Sequence, residues 1–342
     1  MEYESTNHNQ LAPRVYRDLQ QVGLEQSSRN GPVLRMPGCT TLWVSKPRER
    51  VNFCGARDAN PFFHLVEAAA MLANANDVEL LAHMAKNMRA YSDDGERYNA
   101  FYGERLRQTW GDQLNQVILE LTDKPDSRQA LAQIWDPRDL VRQTKDKACN
   151  LCLIFQVEQD GSLGMTSFNR SNDAVWGILS GANVVHLSVF QEYVACALGR
   201  PVGPWSHVSA NLHVYTANPQ WAAVKDAPVA DYYAAPSSLG TGPLLFDRPE
   251  QRVRFDVDLR HAVAAMQHGV KLGDLKVAQG MFHKVESGFL KDVLAAFLAF
   301  SLRKARVPAE TWQGWLHHIS APDWHLACAM WVGRRATNGG AS

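Results

Sequence analysis

Cys149 is the first residue of this chain whose surroundings suggest chemistry. It lies in Lys145-Asp-Lys-Ala-Cys149-Asn150, at the entrance to the β-prone run Leu151-Cys-Leu-Ile-Phe-Gln-Val157. Two lysines precede it, and local positive charge lowers a thiol pKa and makes the nucleophilic thiolate available. A small buried core residue is the plainer reading of any single cysteine. Cys149-x-x-Cys152 has the spacing of a redox or zinc motif, but zinc would need a second Cys/His pair at similar spacing. Side chains alternate along a strand, so Cys149 and Cys152 are expected on opposite faces and the paired reading is rejected. Arg170-Ser-Asn-Asp173 combines a guanidinium, a hydroxyl and backbone amides, the usual equipment for a phosphate. Another arginine stands in Pro125-Asp-Ser-Arg128, also just before a strand. His213-x-Tyr215 sets two polar rings on one strand face, which is either a site or simply a half-exposed surface.

The elements that must position these residues read as an α+β order. Residues 1–30 are polar and expected to be partly mobile, and 31–58 read as turns and short strands, with Thr41-Leu-Trp-Val44 as one strand. Asn60-Pro61 is a helix start, followed by apolar residues at helical spacing. Helical periodicity returns through Val78–Tyr91, and 104–122 is a further helix. Strands are expected at 130–135, 151–157, 163–168 and 208–216, with a hairpin turn at Glu158-Gln-Asp-Gly-Ser162. Between them, 183–198 is helical and stops at Gly199-Arg-Pro201. Residues 217–250 read as long loops, Arg252–Val257 as a strand, and 259–268, 287–305, 309–318 and 323–333 as helices, with a frayed tail Arg334–Ser342. No Gly-rich phosphate loop and no alternating βαβ pattern occurs.

Composition removes several classes of function. Lys plus Arg is 35 and Asp plus Glu is 35, so the chain lacks the basic excess of a non-specific nucleic-acid binder. A small local anion site remains compatible with that balance. With 46% hydrophobic and 20% charged residues, the 342-residue chain is ordinary globular protein of one large domain or two smaller ones. The longest apolar run, Val293–Phe300, is far short of the roughly 20 residues of a spanning helix, so no membrane role is expected. The polar, acidic opening does not read as a secretory signal, and six cysteines are too few for a disulfide framework; a cytoplasmic protein is expected.

In order and spacing these segments resemble the thymidylate synthase superfamily, including its pyrimidine nucleotide hydroxymethylases. The resemblance rests on Pro125-Asp-Ser-Arg128, Ala148-Cys149-Asn150, Asn169-Arg-Ser-Asn-Asp173, Asn183-Val-Val-His-Leu187 and His207 through His213-Val-Tyr215. Upstream, His64-Leu-Val-Glu67, Phe101-Tyr102-Gly103 and Ser28-Arg29-Asn-Gly31 match more loosely, and 217–342 matches poorly. The resemblance implies a thymidylate-synthase-like mixed sheet packed with helices, with a catalytic core over 1–216. Residues 217–342 would continue the same domain as divergent loops, one or more strands and a helical extension.

It also implies roles. Cys149 would attack C6 of a pyrimidine, and C5 would then accept a one-carbon unit from 5,10-methylenetetrahydrofolate. Glu67 would organise water and protons at the base carbonyl, and Tyr102 would help remove the C5 proton. Arg29, Arg128, Arg170 and Ser171 would hold the phosphate, with Arg128 reaching across a homodimer interface. Asp173 belongs to the same matched segment. His213 and Tyr215 would bind the sugar, and Asn183 would read the base edge. No metal is implied.

The departures from the family pattern point towards hydroxymethylation. Asn150 stands where synthases carry His after the nucleophile, residues 85–100 contain no tryptophan, and the chain ends without a short apolar sealing tail. Each change rewets the face from which hydride would come, so water would end the reaction. Trp176-Gly-Ile-Leu-Ser-Gly-Ala-Asn183 is two residues longer than the family's segment, so Ser180 could join Asn183 in the site. Trp176 either lines the pocket or plugs the core. An amide at 183 matches uracil, and dUMP is the expected substrate. The readings left open are a methylating thymidylate synthase, a dCMP or CMP hydroxymethylase, and a non-catalytic nucleotide-binding relative.

Overall fold

The computed structural model describes residues 1–337. They form two compact units interleaved along the chain. The first comprises Met1–Ala59, Asp112–Pro137 and Ala148–Ser238, and the second Asn60–Gly111, Arg138–Lys147 and the chain from Leu239 onward.

The first unit is built on ten strands: β1 (Glu2–Ser5), β2 (Leu24–Ser28), β3 (Gly31–Arg35), β4 (Thr40–Val44), β5 (Leu131–Gln133), β6 (Asn150–Val157), β7 (Leu163–Asn169), β8 (Asn172–Asp173), β9 (Val202–Ser209) and β10 (Leu212–Tyr215). A six-stranded mixed sheet runs in the order β1-β4-β9-β7-β6-β5, and a four-stranded sheet in the order β2-β3-β10-β8. Burial alternates along β9, with Gly203, Trp205, His207 and Ser209 facing inward. The helix Ala182–Ala197, buried from Val184 onward, packs on β7 and β9. Gln191 at its centre donates through Nε2 to the carbonyls of Leu163 (2.9 Å) and Gly203 (3.0 Å), satisfying sheet oxygens that water cannot reach.

The first thirty residues are ordered, contrary to the expectation of mobility. Asn7 caps a helix at His8–Val22, its side chain accepting from the amides of Asn9 and Gln10. Leu11, Ala12, Val15, Tyr16 and Leu19 recur at helical spacing and are all fully buried, so an amphipathic stripe holds this segment down. The expected strand at 208–216 is two strands, β9 and β10, which lie in different sheets. The hairpin at 158–162 forms as expected, with Glu158 donating to the Ser162 carbonyl (2.8 Å) across Gly161 at φ +82°.

A β-bulge interrupts β6 between Asn150 and Cys152. The buried residues Asn150, Leu153 and Phe155 therefore do not follow strict alternation, and the premise that placed Cys149 and Cys152 on opposite faces does not hold. Neither thiol is in a disulfide, and both are half-buried.

The second unit is helical. Pro61–Leu72 is buried along its whole length, with Asn60 capping it through a bond from the Phe63 amide (3.2 Å). It packs against Gly288–Lys304, which contains the long apolar run, and Phe62 meets Phe300 and Trp331 at 5.8 and 5.6 Å between ring centroids. A helix apolar on every side belongs in a core. The expected helix at 104–122 divides into Tyr102–Arg107 and Gln113–Asp123, separated by Gly111 at φ +85°.

Arg252–Val257 is not a strand but the first turns of the helix Arg252–Leu272. The alternation of charge and apolar residues there is misleading. Phe255, Asp258, Leu259, Ala262, Val263 and Met266 are buried at helical spacing, while Val253 is 70% exposed. Residues 217–250 are mainly loop, with one helix at Pro219–Val224, and a further helix occupies Lys276–Lys284. The expected fraying falls partly on residues 338–342, outside the described residues. Among the described residues no helix is long and apolar enough to cross a membrane, and no cluster of three or more His, Cys, Asp or Glu side chains could hold a metal.

Candidate active site

Cys149 sits at the end of β6, where the ladder with β7 continues one step beyond the strands. The Arg170 amide donates to the Cys149 carbonyl (3.0 Å), so the two residues face each other. The Arg170 side chain folds back over this end. Its Nε donates to the Ala148 carbonyl (2.8 Å), its Nη2 lies 3.9 Å from Cys149 Sγ, and its guanidinium stands 5.5 Å from the Trp135 ring. Positive charge beside a thiol favours the thiolate. The sequence pointed to Lys145 and Lys147 for that charge. Their amines instead donate to the carbonyls of Ser92 (3.1 Å) and Leu140 (3.3 Å), and Arg170 is the cation at the thiol. Cys152 differs: burial pushes its thiol pKa up.

Beyond Arg170 the chain turns through Ser171 into β8, which pairs in parallel with β10 and so sets His213 opposite Asp173. Ser171 Oγ lies 3.5 Å from His213 Nδ1, which also meets Asn211 Oδ1 at 3.0 Å. The rings of His213 and Tyr215 meet edge-on at 5.1 Å. Burial pushes the Asp173 carboxyl up, opposed by the amides of Trp176 and Val175 that it caps, and pushes His213 down. β3 pairs with β10 on its other side, placing Arg35 opposite His213, a neighbour that no motif signalled.

The Trp176–Asn183 segment begins inside a π-helical turn, Ala174–Ile178. Such turns accommodate inserted residues and recur at functional sites. A Cβ at Gly177 would overlap Asn172 Oδ1 and would stand 3.3 Å from Asn183 Nδ2, so the turn packs directly against the half-buried Asn183 amide. Ser180 is committed elsewhere, bonded to the buried Tyr16 hydroxyl at 2.8 Å. Trp176 is 42% exposed and is not a core plug. The buried Arg57 stacks 4.0 Å over its ring and donates through Nε to the Val175 carbonyl (3.0 Å). Burial holds the Arg57 guanidinium below its ordinary range. Sequence reasoning missed Arg57, because only the fold brings it to the turn.

Asn150 is completely buried on the inner face of the sheet, opposite Asn169. Arg29, at the tip of the β2–β3 hairpin, and Arg128, ahead of β5, are both exposed, and neither side chain has a hydrogen bond or ion pair among the described residues. The structure thus groups Cys149, Asn150, Arg170, Ser171, Asp173, Asn183, His213 and Tyr215 through adjacent strands and turns, and leaves Arg29 and Arg128 on the surface of the same unit.

Glu67 and Tyr102 belong to the second unit. Glu67 is 5% exposed on the Pro61–Leu72 helix, and Tyr102 opens the helix Tyr102–Arg107. A Cβ at Gly103 would overlap the Met71 carbonyl, so glycine lets these two helices approach closely.

Residues 60–227 match the family model "Thymidylate synthase". The chain is 37% identical over 347 residues to a deoxyuridylate hydroxymethyltransferase of Pseudomonas phage M6, covering 97% of this chain and 93% of that protein. The region 217–342, poor in family motifs, lies almost wholly within that aligned length. A deoxyuridylate hydroxymethyltransferase of Bacillus phage SP01 is 40% identical over 183 residues, 49% of this chain and 47% of that one. The crystal structure of thymidylate synthase from T4 phage aligns over 61% of this chain and 78% of its own, with 18% identity and a TM-score of 0.49. With a 37% identical relative along nearly its full length and the family's model matched across 60–227, the chain belongs to the thymidylate synthase family.

Proposed function

We propose that this protein converts dUMP to 5-hydroxymethyl-dUMP, with 5,10-methylenetetrahydrofolate as the one-carbon donor. The observation that carries the chemistry is the guanidinium of Arg170, 3.9 Å from the Cys149 thiol. The name of the relative matched along nearly its whole length supports the choice of base and product.

Cys149 attacks C6 of the pyrimidine, a C–S bond forms, and the displaced electron pair moves towards O4, leaving C5 nucleophilic. Arg170 and Ser171 bind the phosphate, with Arg29 closing over it from the hairpin tip. His213 and Tyr215 bind the sugar, and Asn183 donates to and accepts from the uracil edge. The folate supplies a carbon at the oxidation level of formaldehyde. Its planar pyrimidinone and aminobenzoyl rings would stack on the exposed indole of Trp176, which Arg57 fixes from behind, and Asp173 caps the same turn. For Glu67 and Tyr102 the assignment of proton transfers rests on the resemblance alone.

A homodimer belongs to this reading. The outer face of the six-stranded sheet carries two cross-strand rows, Thr41-Val208-Phe168-Cys152 and Trp43-Ser206-Thr166-Ile154-Leu131. These side chains are half-buried or exposed and largely apolar, a surface suited to a second copy. Arg128 stands at that edge and would reach the partner's phosphate site. Six cysteines with no disulfide among them suit a reducing cytoplasm.

Incubation with 5-fluoro-dUMP and methylenetetrahydrofolate tests the reading, because fluorine at C5 cannot leave as a proton and the covalent adduct persists. Peptide mapping should find the nucleotide on Cys149, with none in Cys149→Ala and full labelling in Cys152→Ala. Labelling at Cys152, or none anywhere, would contradict the assignment.

A further inference from the structure

The inner face of the six-stranded sheet changes character row by row. Val44, Trp205, Met165 and Phe155 form an apolar cross-strand row. Leu42, His207, Ser167 and Leu153 form the next, and Thr40, Ser209, Asn169 and Asn150 the last. That last row is polar throughout and 0–2% exposed. It lies at the end of the sheet that carries Cys149 and Arg170.

Much of this polarity is satisfied internally. His207 bonds Ser167 Oγ through Nδ1 and Ser209 Oγ through Nε2, each at 2.9 Å. Asn172 donates to Asn169 Oδ1 at 3.4 Å. Asn150 is different: among the described residues neither its Oδ1 nor its Nδ2 has a hydrogen-bond partner. A buried polar group left unbonded costs about 1–3 kcal/mol, and native proteins meet such groups with ordered water or ligand. Thr40 Oγ1, at the far end of the row, is also unpartnered, but only Asn150 adjoins a nucleophile. Asn150 follows Cys149 directly, about 3.8 Å away between Cα atoms. Its ladder partner Asn169 directly precedes Arg170, the residue at the thiol.

We infer that the buried amide of Asn150 holds the water that ends the reaction, with Asn169 and His207 fixing the polar row around it. The inference rests on the hydroxymethylase reading. In the step concerned, the pyrimidine is joined to Cys149 at C6 and carries an exocyclic methylene at C5. The water oxygen bonds to the methylene carbon, its proton leaves to solvent, and the C5–methylene π pair moves to form the enolate. Collapse of the enolate restores the C5–C6 double bond and expels the Cys149 thiolate. No oxidant or reductant is consumed. An amide suits this task because it donates and accepts without ionising, so it orients water without titrating. The surrounding network is also uncharged at neutral pH, since burial pushes His207 down to about 3. Asn150 is therefore a water-positioning residue.

The test offers the methylene two nucleophiles, water and added 2-mercaptoethanol, and reads the ratio of hydroxymethyl to thioether nucleotide. Tritium release from 5-tritiated dUMP counts the turnovers that reach C5. In Asn150→Ala the hydroxymethyl-to-thioether ratio should fall about tenfold, as expected for losing a hydrogen bond that holds water. Asn150→Asp, which still accepts from water, should restore most of it. Asn150→Ser provides a second small variant, should Asn150→Ala not fold. An unchanged ratio in a folded variant would overturn the inference, as would a loss that falls equally on tritium release and product, or only on the KM for dUMP. Wild-type protein that makes dTMP would instead contradict the hydroxymethylase reading itself, which separates the two failures.

Discussion

Arg170 meets the backbone and the thiol from a single position: its Nε donates to the Ala148 carbonyl and its Nη2 lies 3.9 Å from Cys149 Sγ. In the proposed reaction it also binds the phosphate. Arg170→Ala removes a charge-assisted contact of about 1.5–3 kcal/mol. The KM for dUMP should rise by roughly 10- to 150-fold, with little change in folding stability, while binding of the uncharged nucleoside changes far less. Equal affinities of wild type and variant for the monophosphate would contradict the phosphate role. Cys149, Arg170, Ser171 and His213 were legible in the sequence because each sits in a short contiguous motif. Arg57, Arg35 and the partners of His207 were not. Strand register and the π-helical turn bring them in from distant positions, and no local spacing records such contacts.

At the scale of elements, the turn Ala174–Ile178 joins the Arg170–Asp173 segment to the helix that carries Asn183. Gly177 is the only residue type that fits beside Asn172 Oδ1 without displacing it. Gly177→Ala should cost about 1–3 kcal/mol in urea unfolding and raise the KM for dUMP, because the added methyl pushes on both Asn172 and Asn183. A variant as stable and as tight-binding as wild type would show that the turn is not packed on these amides.

The sheet behind the turn makes stability depend on pH. His8 and His207 are buried and held neutral, each with its pKa pushed down to about 3 by burial. The unfolded chain takes up those protons first, near 6.5, so stability falls as pH drops below about 6.5 and continues to fall towards about 3. Each histidine contributes up to roughly 1.4 kcal/mol per pH unit in that window. Unfolding free energies of wild type and His207→Gln, compared from pH 7 to 4, should show the shallower decline in the variant. Parallel profiles would contradict it.

Pro61–Leu72 could be read directly from its Asn60-Pro61 start and the apolar run behind it, and Ala182–Ala197 from its long apolar stretch and the stop at Gly199. Arg252–Val257 could not, because six residues of alternating character fit a strand as well as the start of a helix, and only the later burial of Leu259, Ala262 and Met266 decides. The first thirty residues were misread for a related reason. Their composition is polar, but one stripe through Leu11, Val15, Tyr16 and Leu19 is enough to anchor them.

At the scale of the whole molecule, a net charge of zero, with the Arg170 guanidinium beside the Cys149 thiol, suits a mononucleotide rather than a polymer. The fold class followed from the mixture of strands and helices, but the interleaving of two units along the chain did not, since it depends on which segments pack together after distant crossings. In the proposed reaction, the fate of the C5 methylene separates this molecule from a methylating synthase. The polar row ending at Asn150 and the absence of tryptophan in 85–100 are the features that favour water over hydride in that reading. The most direct test is to supply purified protein with dUMP and methylenetetrahydrofolate in oxygen-labelled water and identify both products by mass. The expected result is 5-hydroxymethyl-dUMP carrying the labelled oxygen, with tetrahydrofolate and no absorbance rise from dihydrofolate. Stoichiometric dTMP and dihydrofolate would contradict the account.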